Sequence, residues 1–229
     1  SPVKSVNMID LYGDSILIID SFDRCNILVD TGEIDAYDKV IQYIKSKNIK
    51  RIDYFITTHE HDDHMGERND INDSFKVINN ITNANSKYYS KETCGSIDLE
   101  FYTFQKTYQE TNNQSIVFSL FINDVHYLFT GDMESKKEED FIKLVDIDVD
   151  VLKSGHHGSI TSSSPKFLEA IKAEEVMISC YRNNLHGHPH DEIINRYEEA
   201  NMEIYRTDEL GTIEINYIFG YVYKKYHKP

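Results

Sequence analysis

The sequence lacks any apolar run long enough to cross a lipid bilayer. Its longest uninterrupted hydrophobic runs are short, as at residues 16–19, whereas a membrane-spanning helix needs about 20 apolar residues. The first residues also lack the basic and then apolar pattern of a secretory signal. We therefore expect no membrane partner and, by default, a cytoplasmic protein.

Cysteine is scarce. Cys25, Cys94 and Cys180 are scattered along the chain. Their number and spacing predict neither a disulfide framework nor a metal site built from paired thiolates. The expected setting is a reducing compartment.

Basic residues are outnumbered by acidic ones. The 24 Lys and Arg face 39 Asp and Glu, which gives a formal net charge of −15. Proteins that bind duplex DNA normally present Lys and Arg to the phosphate backbone. The acidic excess therefore argues against stable duplex binding and is compatible with a small phosphorylated substrate or a nucleic-acid end. It also favours solubility.

Linkers and internal repeats are missing as well. No stretch is rich in Pro, Gly and Ser together, and the 229 residues are 40% hydrophobic, which is enough for a buried core. The sequence predicts one domain, residues 1–229.

Apolar periodicity predicts many strands with interspersed helices. Helical spacing is found at residues 33–47, 134–145, 164–172 and 191–200. Strand patterns are found at residues 3–9, 15–19, 26–29, 52–57, 74–78, 96–104, 114–121, 125–129, 148–152, 176–179, 203–206, 212–217 and 221–226, with a hairpin turn at Asn123-Asp124. This mixture indicates two sheets with helices on their outer faces.

Eight of the ten histidines fall in three short windows, at residues 59–64, 156–157 and 186–190. The first window follows a predicted strand and has the spacing His-x-His-x-Asp-His, from His59, His61, Asp63 and His64. Imidazole and carboxylate groups suit Zn²⁺, Fe and Mn²⁺. The zinc-protease pattern His-Glu-x-x-His is not met, because residue 63 is Asp. The window predicts a metal centre in a loop.

This window resembles the signature of the metallo-β-lactamase fold, a superfamily of mostly binuclear metal hydrolases. Residues 28–32 (Leu-Val-Asp-Thr-Gly) and 129–132 (Phe-Thr-Gly-Asp) resemble two further landmarks of that fold. The likeness runs from about residue 6 to about residue 215. It implies an α/β protein, a four-layer αββα sandwich of two mixed β-sheets flanked by helices.

A narrower likeness is to the soluble hydrolase domain of ComEC-type DNA-uptake competence proteins. It is carried by five segments, at residues 13–18, 112–117, 150–153, 156–159 and 187–189. The membrane channel of those proteins is absent, so we expect a stand-alone hydrolase, and DNA uptake does not carry over.

The resemblance implies two divalent metal ions, Zn or Mn. His59 and His61 would hold one ion, Asp63 and His64 the other, and Asp132 would bridge them. Either His156 or His157 would complete the second site, and we take His156 as the ligand. Most binuclear relatives have a further His for the first site.

Residues 112–115 (Asn-Asn-Gln-Ser) contain no His where relatives have that ligand. Either an amide or hydroxyl oxygen replaces it, or the first ion is weakly held. An oxygen ligand would favour manganese over zinc.

The implied activity is that of a phosphodiesterase, in which a hydroxide bridging two metal ions attacks the substrate. Asp63 would orient the hydroxide, and His157, Ser159 and His188 would donate to substrate oxygens. One alternative is hydrolysis of an acyl bond in a lactone, lactam or thioester, and another is a non-catalytic domain that kept the fold. The sequence leaves the oligomeric state open.

Overall fold

The computed structural model describes residues 4–34, 37–66 and 68–228. Residue 3 of the predicted first strand and residues 35–36 of the predicted first helix lie outside these ranges. Within them, no helix has the length and apolar composition needed to span a membrane.

Fourteen strands are found in the described residues, and they form two seven-stranded sheets. Sheet A has the strand order β14-β13-β1-β2-β3-β4-β5, and sheet B has the order β12-β11-β10-β9-β8-β7-β6. The strands are β1 Lys4–Met8, β2 Ile16–Asp20, β3 Cys25–Val29, β4 Arg51–Ile56, β5 Lys76–Ile81, β6 Lys91–Cys94, β7 Ile97–Tyr102, β8 Val117–Ile122, β9 Val125–Phe129, β10 Val151–Lys153, β11 Glu175–Ile178, β12 Glu203–Arg206, β13 Thr212–Ile218 and β14 Tyr221–His227.

Both sheets are mixed. In sheet A the strands from β14 to β3 pair antiparallel, while β3, β4 and β5 run parallel. In sheet B the strands from β6 to β9 pair antiparallel, while β9 to β12 run parallel.

Helices cover the outer face of each sheet. The described residues contain the helices α1 Tyr37–Ser46, α2 Asp62–Met65, α3 Arg68–Ser74, α4 Ser135–Leu144, α5 Pro165–Ile171, α6 Asp191–Glu199 and α7 Thr207–Leu210. Of these, α1 and α3 pack on sheet A, and α4, α5 and α6 pack on sheet B. Helix α5 begins at the N-cap Ser164, whose side chain accepts from the N–H of Phe167. It ends at Lys172 in the left-handed conformation.

Alternation along the strands builds the layers. In β3, Ile27 and Val29 pack between the sheets, whereas Leu28 points to the outer face and packs with residues of α1 such as Val40. On sheet B, Val117 packs outward in the same cluster as Phe141 of α4. The result is the four-layer αββα sandwich of two mixed sheets that the sequence predicted.

Most predicted elements are confirmed within a few residues, and the hairpin turn at Asn123 and Asp124 has positive φ at both positions. The Asn-rich region differs. Residue 74 ends α3, so the strand predicted at 74–78 is instead Lys76–Ile81, and β6 was not predicted at all. These two strands lie at sheet edges and are half exposed, so their apolar alternation is weak.

The expectation of no disulfide is wrong. Cys25 at the start of β3 and Cys94 at the end of β6 form a disulfide that joins sheet A to sheet B. The two cysteines are separated by 69 residues, so no local spacing pattern in the sequence indicated that they form a disulfide. Disulfides persist chiefly in oxidising compartments, which removes the premise for a reducing setting.

Candidate metal centre

The histidine loop, residues 59–64, follows the carboxyl end of strand β4 in sheet A. The N–H of Thr57 continues the pairing with β5, so the chain stays extended almost to the loop. The chain then turns into α2, where the N–H of His64 donates to the carbonyl of His61 at 3.0 Å. This turn brings the rings of His59 and His64 to a centroid distance of 4.1 Å.

Gly13 allows a second loop to approach the histidine loop. Its φ is +96°, and a Cβ atom there would lie 2.0 Å from the carbonyl oxygen of Asp63. The next residue uses this closeness, because the N–H of Asp14 donates to the same oxygen at 3.0 Å. Both the conformation and the lack of space require glycine.

Asp132 follows β9 of sheet B and faces the histidine loop. Its N–H donates to Ser115 Oγ at 2.9 Å, which fixes the backbone at this point. Its Oδ2 lies 3.7 Å from His59 Nε2, and its Oδ1 lies 3.3 Å from His64 Nε2. One carboxylate therefore reaches two histidines, each with a different oxygen.

His156 and His157 follow β10 and have φ values of +47° and +53°. The left-handed conformation costs about 1–2 kcal/mol for each non-glycine residue. Two such residues in succession form a strained turn, of the kind that concentrates at functional sites. The turn sets the two rings at a centroid distance of 6.2 Å and an interplanar angle of 67°.

Two clusters of side chains that could hold a metal ion meet at Asp132, and we call them the first and second ligand groups. The first consists of His59, His61, Asp132 and His156. His59 Nε2 lies 3.2 Å from His61 Nδ1 and 3.7 Å from Asp132 Oδ2. His156 Nε2 approaches the same carboxylate oxygen at 3.7 Å. The sequence had assigned His156 to the other side of the site.

The second ligand group consists of Asp63, His64, Asp132 and His157. Asp63 Oδ2 lies 3.1 Å from His157 Nε2 and 3.9 Å from His64 Nε2. Asp132 closes the group, with Oδ2 at 3.8 Å from His157 Nε2. Either histidine of the 156–157 pair was open as a ligand here, and the structure brings His157 to this position.

The second ligand group fits a cation. His64 Nε2, His157 Nε2 and Asp132 Oδ1 are buried, and within the described residues none of them makes a hydrogen bond. Because buried polar atoms are nearly always paired, three such atoms that converge indicate a missing partner. Imidazole and carboxylate groups are ligands of divalent cations such as zinc and manganese.

The protonation state of His59 also suits the first ligand group. Burial, assisted by the nearby His64, lowers the pKa of His59 to about 2 despite the opposing charge of Asp132. Its imidazole is therefore neutral at ordinary pH, and only a neutral imidazole binds a metal ion.

Asp30 lies behind His64 rather than inside either ligand group. Its Oδ2 is 2.8 Å from His64 Nδ1 and also accepts from the hydroxyl of Thr58 at 2.7 Å. A carboxylate in this place fixes the ring orientation and directs Nε2 toward Asp132.

The segment without a histidine, residues 112–115, borders the first ligand group. Asn112 Nδ2 donates to Glu134 Oε1 at 3.1 Å and lies 3.4 Å from His156 Nδ1. Its Oδ1 is buried without a hydrogen-bond partner in the described chain. Ser115 Oγ accepts from the N–H of Asp132. The amide of Asn112 and the imidazole of His156 thus lie beside each other at the edge of this group.

The remaining predicted site residues surround the two groups. The His188 ring lies 5.4 Å from that of His156 and 6.3 Å from that of His157. Burial and these neighbouring histidines lower the pKa of His188 to about 4, so it is neutral near pH 7. Ser159 is buried, and its Oγ lies 3.1 Å from Thr161 Oγ1.

Asp14 and Lys153 lie at the site, and the sequence analysis predicted no role for either residue. Both are buried and form an ion pair, and Asp14 Oδ1 lies 3.5 Å from His157 Nδ1. Each belongs to a segment that carried the likeness to competence proteins, residues 13–18 and 150–153. That likeness was the available signal.

Comparisons with known proteins agree with this architecture. The family model described as the metallo-beta-lactamase superfamily matches residues 8–78. The chain is 26% identical to ComE operon protein 3 of Bacillus subtilis, over 93% of this chain and 33% of that protein. It therefore spans about a third of the length of that relative.

Solved structures show the same fold. Igni18, a metallo hydrolase from the archaeon Ignicoccus hospitalis, aligns with a TM-score of 0.57 at 12% identity, covering 93% of this chain and 100% of that one. A diphosphatase from the PhnP family aligns with a TM-score of 0.51 at 14% identity, covering 90% and 84%. The two sheets, their flanking helices and these neighbours establish a metallo-β-lactamase fold with a candidate metal site.

Proposed function

We propose that this chain, a hydrolase domain of the metallo-β-lactamase fold with homology to competence proteins, is a binuclear phosphodiesterase. The observation that carries the proposal is the shared carboxylate of Asp132. Its Oδ2 faces His59 and His156, while its Oδ1 faces His64. Because Oδ2 also lies 3.8 Å from His157 Nε2, this carboxylate contacts the histidines of both ligand groups and is suited to bridge two cations.

The ligand assignment follows the two groups. His59, His61 and His156 would hold the first ion, and Asp63, His64 and His157 the second, with Asp132 between them. Each ion would have four protein ligands of nitrogen and oxygen, which both zinc and manganese accept. His157 changes role in this assignment, from a substrate contact to a ligand.

Two divalent cations bound here supply an activated water and neutralise charge on phosphoryl oxygens. The side chain of Asp63 is 28% exposed, so its carboxylate lies on the solvent side of the site. Burial raises the pKa of Asp63, but the neighbouring His157 and His64 lower it further, to below its ordinary value. Asp63 stays ionised and can orient an attacking water by accepting a hydrogen bond.

Substrate contacts fall to residues at the rim. The ring of His188 lies beside both His156 and His157, so its N–H can donate to an oxygen of a bound phosphoryl group. Ser159, in the same turn, is the second proposed donor. Such donors stabilise charge that develops during the reaction.

The substrate class rests on charge and on one structural neighbour. The net charge of −15 repels long polyanions, which favours a small phosphodiester over a nucleic-acid end. The PhnP-family protein of similar fold is named a diphosphatase, which supports phosphoryl over acyl chemistry.

Hydrolysis of bis-p-nitrophenyl phosphate tests the proposal. With added Mn²⁺ or Zn²⁺, the protein should release p-nitrophenolate, and Asp132→Ala should reduce the rate by at least about a hundredfold, because both ligand groups lose a member. His227→Ala is the matched control, since His227 is a half-exposed residue that contacts Glu214; it should keep the full rate. Turnover of nitrocefin or a lactone without diester hydrolysis, or no turnover with any divalent ion, would contradict the proposal.

A further inference from the structure

Asp14 lies within reach of the second ligand group but behind its rings. Its Oδ1 is 3.5 Å from His157 Nδ1, and its Oδ2 is 3.8 Å from His64 Nδ1. The Nε2 atoms of the same two rings face Asp132. By distance alone Asp14 qualifies as a ligand, because Asp14, His64, Asp132 and His157 each offer an atom within 4.8 Å of the others.

Lys153 holds the Asp14 carboxylate on this far side. Lys153 is the last residue of β10, and its ammonium group pairs with Asp14 Oδ2. The same group lies 3.4 Å from the carbonyl oxygen of Gly131, next to Asp132. Both side chains of the pair are almost fully buried, at 4% and 3% exposure. A buried ion pair of this kind is held strongly, since either charge alone would be uncompensated.

The backbone of Asp14 is fixed independently of its side chain. Its N–H donates to Asp63 O at 3.0 Å, and its carbonyl accepts from the N–H of Gly32 at 2.8 Å. The carboxylate can therefore turn about its own side-chain bonds while the main chain stays in place. The direction in which it points depends on the charges around it.

We propose that Lys153 is a positioning residue that keeps Asp14 out of the coordination shell of the second metal ion. This inference rests on the proposed metal centre. Without the ammonium group, the nearest positive charge available to Asp14 would be the second ion. Asp14 would then turn past His157 and become an additional ligand.

Such a ligand would matter for catalysis. Catalytic metal sites keep a position open for water or substrate. A further carboxylate would fill that position and bind the ion more tightly. By pairing with Asp14, Lys153 thus keeps a coordination position of the second ion free for water or substrate.

Cobalt(II) binding tests this role without relying on turnover. Because the visible absorption of bound Co²⁺ weakens as its coordination number rises, Lys153→Met should lower the band intensity and tighten binding of the second ion by about tenfold. Asp14→Asn should leave the spectrum unchanged and weaken binding by about tenfold, since it removes a partner behind His157. The double variant should regain the wild-type spectrum, because no carboxylate remains to enter the shell.

Each other outcome has a distinct meaning. A changed spectrum in Asp14→Asn alone would show that Asp14 is already a ligand and would overturn the proposal even if Lys153→Met does not fold. An unchanged spectrum in a cooperatively folded Lys153→Met would overturn the role of Lys153. Failure of the wild-type protein to bind cobalt would instead remove the metal centre and, with it, the proposed function.

Discussion

Lys137 of α4 is a buried ammonium group that makes no ion pair with a carboxylate in the described chain. It is 4% exposed, and its Nζ donates to Ser115 O at 2.6 Å and lies 4.5 Å from the centre of the Phe104 ring. Burial lowers its pKa from 10.5 to about 7. The folded protein therefore binds this proton less readily than the unfolded chain does.

Replacing Lys137 with methionine should make stability less dependent on pH. A depressed pKa in the folded state means that its stabilising contribution is present above pH 10.5 and is lost as the pH falls toward about 7. The free energy of unfolding of Lys137→Met should therefore exceed that of wild type by a margin that grows as the pH falls from 10.5 to about 7. The margin should reach about 2–4 kcal/mol and stay constant at lower pH. Urea denaturation between pH 6 and pH 10 measures this.

Lys136→Met is the matched control for that measurement. Lys136 is the neighbouring residue, 57% exposed, and pairs on the surface with Glu110. Exposed pairs contribute little, so its profile should parallel that of wild type. Parallel profiles for wild type and Lys137→Met would show that Lys137 stays charged at no cost.

The histidine loop was predictable because its spacing is local and follows a strand. The different directions of the His156 and His157 rings were not predictable, because they depend on two successive residues in the left-handed conformation. The contact of Asp14 with Lys153 joins two distant parts of the chain, and no periodicity reports it. Sequence reasoning identified the types of side chain at the site, whereas the proposed assignment of each ring to a ligand group rests on the structure.

At the scale of elements, the turn before β2 determines how closely its own loop approaches the histidine loop after β4. Gly13 sits in this turn against the carbonyl of Asp63. A side chain at residue 13 would therefore collide with the backbone of Asp63, a member of the second ligand group.

Gly13→Ala should destabilise the protein by more than about 3 kcal/mol, because the added Cβ atom would displace the backbone of Asp63 and the alanine would have to keep an unfavourable positive φ. Gly220→Ala is the control: its φ is +86°, and nothing lies within 4 Å of the added atom. Its cost should be about 1 kcal/mol, from the conformation alone. Chemical denaturation of both variants compares the two, and equal losses would refute a steric role for Gly13.

Predictions for elements succeeded for the buried central strands and for the edge strands β12 and β14, and failed at the edge strands β5 and β6. Central strands such as β2 and β3 are apolar runs buried along nearly their whole length, and helices α4, α5 and α6 show clear helical spacing. Strand β5 contains Asn79 and Asn80, and its burial is intermediate along most of its length. An edge strand needs no continuous apolar face, so the sequence of β5 carries little signal of where the strand begins and ends.

At the scale of the whole molecule, the disulfide between Cys25 and Cys94 ties the two sheets together. The bond joins β3 of sheet A to β6, the edge strand of sheet B. The layered fold itself was predictable, because each sheet alternates between an inner and an outer apolar face. The cross-link was not, since it depends on the stacking of the two sheets.

Removing the disulfide by Cys25→Ser with Cys94→Ser should cost about 4 kcal/mol, as expected for a closed loop of 69 residues. Urea denaturation measures the loss. A reducing agent should lower the stability of wild type to that of the double variant and leave the variant unchanged. Equal stability of wild type and variant in the absence of reductant would contradict the prediction.

The order of the ligands along the chain has a consequence for biosynthesis. The proposed second ligand group needs Asp63, Asp132 and His157, and the first needs His156 as well. While the ribosome has released only the first half of the polypeptide, the nascent segment holds the histidine loop without its partners from the other sheet. Translation must therefore run past residue 157 before the emerging chain can capture its full complement of ions.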